Sequence, residues 1–492
     1  MENEKFLLLG VFVLLFFSLA YGFLNGVSEE KDEPNVILIH METSRADHIS
    51  CYGYERNTTP NICNIAEEGV LFENAYSQGG STYVSVPSIY FSLFPNCHSI
   101  TSWFGEIDGK AYLFDILEDQ GYETRFLTNF VPESGWERIG LNALEGDSDE
   151  IKNAIRNLSD QSPFFIGMHY NGAHRPYFDL DQEIKYFNEN ISINKSFAHH
   201  FNGAETWYWE KNKIRKSLTD ERKKKLFNFL INRYDGAVKR TDDFVGEVIR
   251  ILKDKNLYED TLIIITADHG ENLVEKDIGR YFANGGVFKE TTHVPLIIKF
   301  PDSRYSNKRV SQIVRHVDLL PTLMDYMDIE HKKEIQGTSL IPAIKGNDLK
   351  LKSYANSRSH HALRTQENLF IHRDLGKAIN ITYRSLKRIA EENNRSGKNK
   401  DMLISFEKYN YNETLIKERI REHLQQWPTD QLFVLDEEGD KVKWSNNASV
   451  RNKLKEELFD IMGSCPNPQK ESLKSSVSPD LRERLEELGY VR

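Results

Sequence analysis

Asn35-Val-Ile-Leu-Ile-His40 runs into Met41-Glu42-Thr43-Ser44-Arg45, and Thr261-Leu-Ile-Ile-Ile-Thr266 runs into Ala267-Asp268-His269-Gly270. Each is a continuous apolar run, the pattern of a strand buried on both faces and hence of a parallel sheet covered by helices. In open α/β sheets, sites form where adjacent strands deliver their carboxyl ends. Both runs end in oxygen and nitrogen donors. Glu42, Asp268 and His269 placed there make a hard, partly nitrogenous cage for a divalent cation.

Further runs carry the same reading outward. Tyr122–Thr128, Pro163–His169 and Val294–Phe300 read as additional sheet strands. Between the last of the early strands and Asp268 lies a long amphipathic helix that starts near Thr219. Its stripe of Leu230, Tyr234, Ala237, Val238, Val245, Val248, Ile249 and Leu252 is spaced for one buried face. Strand–helix alternation of this length predicts an α/β sandwich around a mostly parallel sheet. After about Gly346 the chain becomes polar and poorly periodic as far as Glu422. Strand character returns at Gln431–Leu435, and Pro479–Leu488 reads as a short amphipathic helix. The expected division is therefore residues 1–33, a catalytic domain over 34–346, and a smaller C-terminal subdomain over 347–492 with a polar insertion.

The first segment has its own character. Phe6–Leu24 is almost wholly apolar, close to the roughly 20 residues that span a bilayer. Ser18-Leu19-Ala20 offers small residues for signal cleavage. We read an uncleaved membrane anchor with the catalytic domain outside the cytoplasm, or a secreted chain if the segment is removed. Eight Asn-x-Ser/Thr sequons accord with a glycoprotein. The four cysteines lack CxxC spacing, which argues against zinc-thiolate or redox motifs and leaves one or two disulfides of unreadable pairing. With 63 basic and 74 acidic side chains the net charge is −11, which argues against nucleic acid as a partner. The basic run from Lys211 to Lys225 is broken by Asp220 and Glu221 and reads as a solvated helix face.

A metal site needs a nucleophile beside it. Tyr76–Pro95 supplies hydroxyls just after Gly79-Gly80, and Thr82 there opens a helix, where backbone N–H groups favour an anion. A hydroxyl on a divalent cation loses its proton more easily and attacks at neutral pH. Taken alone, the segment reads equally as a Ser/Thr-rich turn with N-caps. His174, after another strand, is placed to donate a proton to a leaving group or to bind a second metal. His293 has the same readings, and Lys289 is placed to contact an anionic oxygen. Each is, alone, also an ordinary surface residue.

Asn35–Ile39 through Arg45-Ala-Asp-His-Ile-Ser-Cys-Tyr-Gly-Tyr54, then Thr58–Asn61, closely resembles the opening of the sulfatase family in the alkaline-phosphatase superfamily. Phe72–Tyr76, Asp268–Glu271, Val317–Leu323, Gly337–Pro342 and Leu485–Val491 resemble that family too, in order along the chain. The resemblance implies an alkaline-phosphatase-like sandwich, a divalent metal (calcium or zinc, with manganese a third choice), and hydrolysis of sulfate esters on a small molecule, glycan or lipid. Sulfatases mature a Cys or Ser, followed two and four residues later by Pro and Arg, to formylglycine. Matching that Pro to Pro87 nominates Ser85, whereas the gapless match nominates Thr82, and neither register supplies the Arg. Threonine cannot become formylglycine.

A second resemblance, to lipid phosphoethanolamine transferases of the same superfamily, rests on Glu42–His48, Ser81–Pro87, Asp268–Glu271 and Lys289–Pro295. It implies Glu42, Thr82, Asp268 and His269 as ligands, with Thr82 the nucleophile on a phosphorylated substrate. Arg45, Asn284, Lys289 and His293 are the candidate anion contacts, and Asn284 stands where both families usually have His or Lys. A third alternative is a sulfatase-like binding protein without turnover.

Overall fold

The computed structural model describes residues 33–100, 105–107, 110–130, 133–158, 162–174, 219–273, 285–357, 359–396, 412–426, 428–435 and 443–465. The apolar segment Phe6–Leu24, the helix read at Pro479–Leu488 and Asn284 lie outside them. Among the described residues no helix is long and apolar enough to cross a membrane.

The main sheet has nine strands: β1 (Asn35–Met41), β2 (Val70–Tyr76), β3 (Glu123–Thr128), β4 (Ala143–Glu145), β5 (Phe164–Tyr170), β6 (Thr261–Ala267), β7 (His293–Val294), β8 (Leu296–Lys299) and β9 (Lys308–Arg315). Their order is β4-β3-β5-β1-β6-β8-β2-β7, with β9 paired to β2. The pairs β1–β5, β1–β6, β3–β4, β3–β5 and β2–β9 are parallel; β8 runs antiparallel to β6 and β2, and β7 to β2. The strand expected over 294–300 is two strands, broken at Pro295, which has no N–H for the ladder.

Both faces are covered, as the apolar runs require. Along β1 and β6, Val36, Leu38, Leu262 and Ile264 pack in one core, while Ile37, Ile39, Ile263 and Ile265 pack in the other. The helix Thr82–Phe91 closes the first face through Val86, Ile89, Tyr90 and Phe91. The 35-residue helix Asp220–Asp254 closes the second, and the whole predicted stripe from Leu230 to Leu252 is buried. The fold is therefore the α/β sandwich expected.

The polar stretch after Gly346 is more ordered than its pattern suggests. It holds β10 (Ser353–Ser357), β11 (His360–Arg364) and β12 (Asn368–Arg373), which continue through β13 (Asp430–Val434) to β14 (Lys443–Trp444) in a second, antiparallel sheet. Its buried positions include Ser353, Asn356, His361 and Arg364, so the apolar alternation that marks a strand is missing. Asn356 N–H donates to the Gln78 carbonyl, joining this sheet to the loop before Thr82, and Gly286 N–H donates to Ser357 Oγ, joining it to the segment before Lys289. The helix Ala448–Gly463 packs its buried Leu454 and Leu458 on the second sheet. Disulfides join Cys51 to Cys63 and Cys97 to Cys465.

Candidate active site

The β1–β6 register sets the site. Met41 pairs with Ala267, so Glu42 and Asp268, each the next residue in its chain, leave the sheet side by side. Both are fully buried, as is His269. One ligand atom from each of the three lies within 4.8 Å of the others. After Glu42 the backbone turns sharply, with Thr43 in the left-handed region at φ 54°, a conformation costly for a β-branched residue and held by its surroundings. The Tyr234 hydroxyl, from the long helix, clamps that turn by donating to the Thr43 carbonyl (2.7 Å) and accepting from Arg45 N–H (2.9 Å).

Each ligand candidate is oriented by a second contact. Asp268 Oδ1 accepts from the backbone N–H groups of Thr43 (3.1 Å) and His269 (2.8 Å), which leaves Oδ2 buried without a hydrogen bond. His269 Nδ1 donates to the Gly270 carbonyl at 2.8 Å, directing the Nε2 lone pair toward Asp268 and Glu42. Two buried carboxylates side by side resist ionisation together. Burial and the Glu42 charge push the Asp268 pKa up to about 6. Burial alone would lower the His269 pKa, but the Asp268 and Glu42 carboxylates outweigh it and raise it. An orphaned carboxylate oxygen and a pair of crowded acids form a donor set that fits a divalent cation.

Thr82 is the first residue of its helix and fully buried. Its hydroxyl donates to Glu42 Oε1 at 3.1 Å and lies 3.3 Å from His269 Nε2. Gly79 and Gly80 bring it there, because a Cβ on Gly80 would sit 2.9 Å from the Gly286 carbonyl oxygen. Ser85, also buried, donates its hydroxyl to the Ser81 carbonyl at 3.1 Å, one turn back in the helix. His174 follows β5; it is 3 % exposed, packs on Phe130, and brings Nε2 to 3.9 Å from Glu42 Oε1.

The remaining candidates sit further out. Arg45 is bidentate to Asp47 and also donates to the Glu271 carbonyl. His293 Nε2 donates to the Glu73 carbonyl (2.8 Å) and its ring packs against Tyr76; burial and Lys289 lower its pKa to about 4. Since a carbonyl only accepts, Nε2 carries the hydrogen. Lys289 opens the short helix Lys289–Thr292 beside it.

Sequence reasoning passed over His40 and His169. Both are fully buried, and His169 Nε2 stands 2.6 Å from Glu42 Oε2. Burial lowers the His169 pKa to about 4 and that of His40 far below its ordinary value. The available signal was a histidine inside a strand buried on both faces, where a polar ring needs a partner.

The sulfatase family model matches residues 34–329. The chain belongs to the sulfatase family. As a member it is an enzyme, an ester hydrolase of the sulfatase type. It is 21% identical to an N-acetylglucosamine-6-O-sulfatase of Bacteroides thetaiotaomicron over 448 residues, covering 71% of this chain and 80% of that one. It is 25% identical to the phosphatidylethanolamine transferase Mcr-1 of Escherichia coli over 335 residues, 62% of this chain and 56% of the transferase. A solved structure in complex with its substrate D-glucosamine-2-N,6-O-disulfate superposes with a TM-score of 0.56 at 18% identity, covering 70% of this chain and 89% of that one. This likeness shows that the family member has the family's sandwich.

Proposed function

We propose that this chain hydrolyses sulfate esters of a glycan or small molecule through the Thr82 hydroxyl, at a divalent-metal centre held by Glu42, Asp268 and His269. One observation carries the reading: a buried hydroxyl at a helix N-terminus lies 3.1 Å from Glu42 Oε1 and 3.3 Å from His269 Nε2. The metal, when bound, supplies positive charge that acidifies the hydroxyl and neutralises the ester's oxygens. Zinc fits best. Thr82 Oγ1, Glu42 Oε1 and His269 Nε2 are separated by 3.1, 3.3 and 3.6 Å, and Asp268 Oδ2 is 3.4 Å from His269 Nε2. Separations of that size suit donors about 2 Å from one shared ion, the zinc–oxygen and zinc–nitrogen distance. Calcium prefers six to eight oxygens at about 2.3–2.6 Å.

The side chains divide the work. Glu42 already accepts from the Thr82 hydroxyl, so it is placed to take that proton as Oγ1 bonds to the ester's central atom. The alkoxide that departs takes a proton from His174, which stands on the Phe130 side of Glu42. Water then attacks the ester's central atom and displaces Thr82 Oγ1, which takes its proton back from Glu42, while a proton of the attacking water restores His174. A second reading is favoured by a specific observation, the Thr82–Glu42 pair itself. A phosphothreonine is readily hydrolysed at phosphorus, whereas a sulfothreonine lacks the elimination route that formylglycine provides. A phosphoester, phosphonate or phosphoethanolamine group is thus the alternative substrate.

Assay of the purified protein with aryl sulfate, phosphate monoester, phosphodiester and phosphonate under zinc, calcium or manganese separates the two. Turnover of the sulfate with zinc is expected. Turnover confined to phosphorus esters would transfer the assignment, and turnover of none would favour a binding protein. A mass of the 76–95 peptide equal to its unmodified sequence is expected, since Thr82 cannot yield formylglycine.

The two disulfides and the apolar N-terminal segment support a membrane-anchored protein with this domain outside the cytoplasm. Protease digestion of intact cells is expected to remove the domain; full protection would contradict that placement.

A further inference from the structure

Beneath the ligand cluster lies a row of buried polar side chains that the reaction above leaves unused. His40 and His169 stand opposite one another in the β1–β5 register. Their Nδ1 atoms are 2.6 Å apart, His40 Nε2 is 3.0 Å from the Tyr90 hydroxyl, and His169 Nε2 is 2.6 Å from Glu42 Oε2. The rings are packed among Phe126, Phe130 and Trp136. Two imidazoles there are a costly choice for a core that aliphatic side chains could fill.

The direction of the row follows from its ends. Two facing Nδ1 atoms at 2.6 Å require one to carry hydrogen and the other a lone pair. In one order Tyr90 donates to His40 Nε2, His40 Nδ1–H donates to His169 Nδ1, and His169 carries its remaining hydrogen on Nε2, facing Glu42. The opposite order sets a lone pair against a carboxylate oxygen at 2.6 Å, two acceptors with no hydrogen between them. The carboxylate therefore selects the first. The contact is short but bent: Nε2 lies close to Oε2 outside good hydrogen-bond angles. Thr82 Oγ1 contacts both oxygens of Glu42 (3.1 and 3.3 Å), but the histidines divide between them: His269 and His174 approach Oε1, whereas His169 approaches Oε2.

We propose that Tyr90, His40 and His169 form a one-way hydrogen-bond chain that turns the His169 Nε2–H edge onto Glu42 Oε2, holding that oxygen by close charge–dipole contact and thereby presenting Oε1 to the metal and to Thr82. His169 is a positioning residue, acting through Glu42. The inference rests on Glu42 being a metal ligand, as read above. Outer partners that orient a metal ligand are typically worth about 10–100-fold in metal affinity.

The test is zinc affinity of the purified full chain by chelator competition, for wild type, His169→Ala, His169→Gln and His40→Leu. Wild type is expected to bind zinc stoichiometrically. His169→Ala should bind about 10–100-fold more weakly, and His169→Gln, whose amide N–H reaches the same oxygen, should recover most of the loss. His40→Leu, which frees the His169 tautomer, should fall between. Thermal unfolding of the metal-free variants reports whether each is folded; should His169→Ala fail to fold, His40→Leu decides. Wild-type affinity in His169→Ala, or in His40→Leu, would overturn the proposal. A Gln variant no better than Ala would also overturn it, because that points to direct ligation by the imidazole. A wild type that binds no zinc would sink the metal reading itself, and that result is read before any variant is made.

Discussion

Thr82 and Ser85 are both buried hydroxyls on one helix, and their surroundings separate them. Thr82 faces Glu42 and His269, whereas Ser85 closes a bond within its own turn. We expect Ser85→Ala to keep kcat/KM within about twofold and to lose about 1 kcal/mol of stability, the usual net worth of one such hydrogen bond. Steady-state assay and chemical denaturation check both figures. Thr82→Ser should retain measurable turnover, because it keeps the oxygen and loses only a methyl group. That this segment brings a hydroxyl to the ligand cluster was legible because the Gly-Gly-Ser-Thr stretch precedes a helix. The choice between Thr82 and Ser85 was not, since it depends on which hydroxyl points out of the helix. His169 was illegible for a related reason: its partner Glu42 is 127 positions away in sequence, and only strand pairing brings the two together.

At the scale of elements, the long helix holds the ligand turn as well as covering the sheet. Tyr234→Phe removes the hydroxyl that bonds both the Thr43 carbonyl and Arg45 N–H. We expect it to cost about 1–3 kcal/mol, the penalty for leaving buried polar groups unpaired, and to lower kcat more than it lowers binding. Melting temperature and the kcat–KM split check this. Strands β1 and β6 were legible because aliphatic runs ending in Glu42 and Asp268 have one economical place, the middle of a covered parallel sheet. Strands β10–β12 were not, because His361, Arg364 and Asn356 occupy positions where a reader expects aliphatic side chains. The break at Pro295 was written in the sequence, and its antiparallel consequence for β8 was not.

For the whole molecule, buried histidines dominate the response to acid. Burial lowers the pKa of His98 and His316 to about 3, and of His169, His293 and His361 to about 4. A depressed pKa gives stability that is present above the unfolded value, near 6.5, and lost as pH falls toward the folded one. Each such group is worth on the order of 3–5 kcal/mol at one unit per 1.4 kcal/mol. Asp268 acts in the opposite sense: its raised pKa makes metal-free protein less stable as pH climbs from about 4 to about 6, by on the order of 3 kcal/mol. Six depressed histidines, counting His40, outweigh that carboxylate and the raised His269. Circular dichroism should therefore show metal-free protein unfolding as pH falls from about 6.5 toward 4. A transition confined below pH 3 would contradict that burial pattern. The Cys97–Cys465 bridge spans 368 residues. Loop entropy makes it worth at most about 6 kcal/mol, so thermal unfolding should shift markedly lower after reduction.

A metal-activated ester hydrolase that attacks through Thr82 depends on that one side chain. The most direct measurement is kcat of metal-loaded Thr82→Ala beside wild type, on whichever ester the wild type turns over fastest. We expect a loss on the order of 10³-fold or more, as when a covalent nucleophile is removed, in a protein that remains folded. Wild-type kcat in Thr82→Ala would rule out Thr82 as the nucleophile.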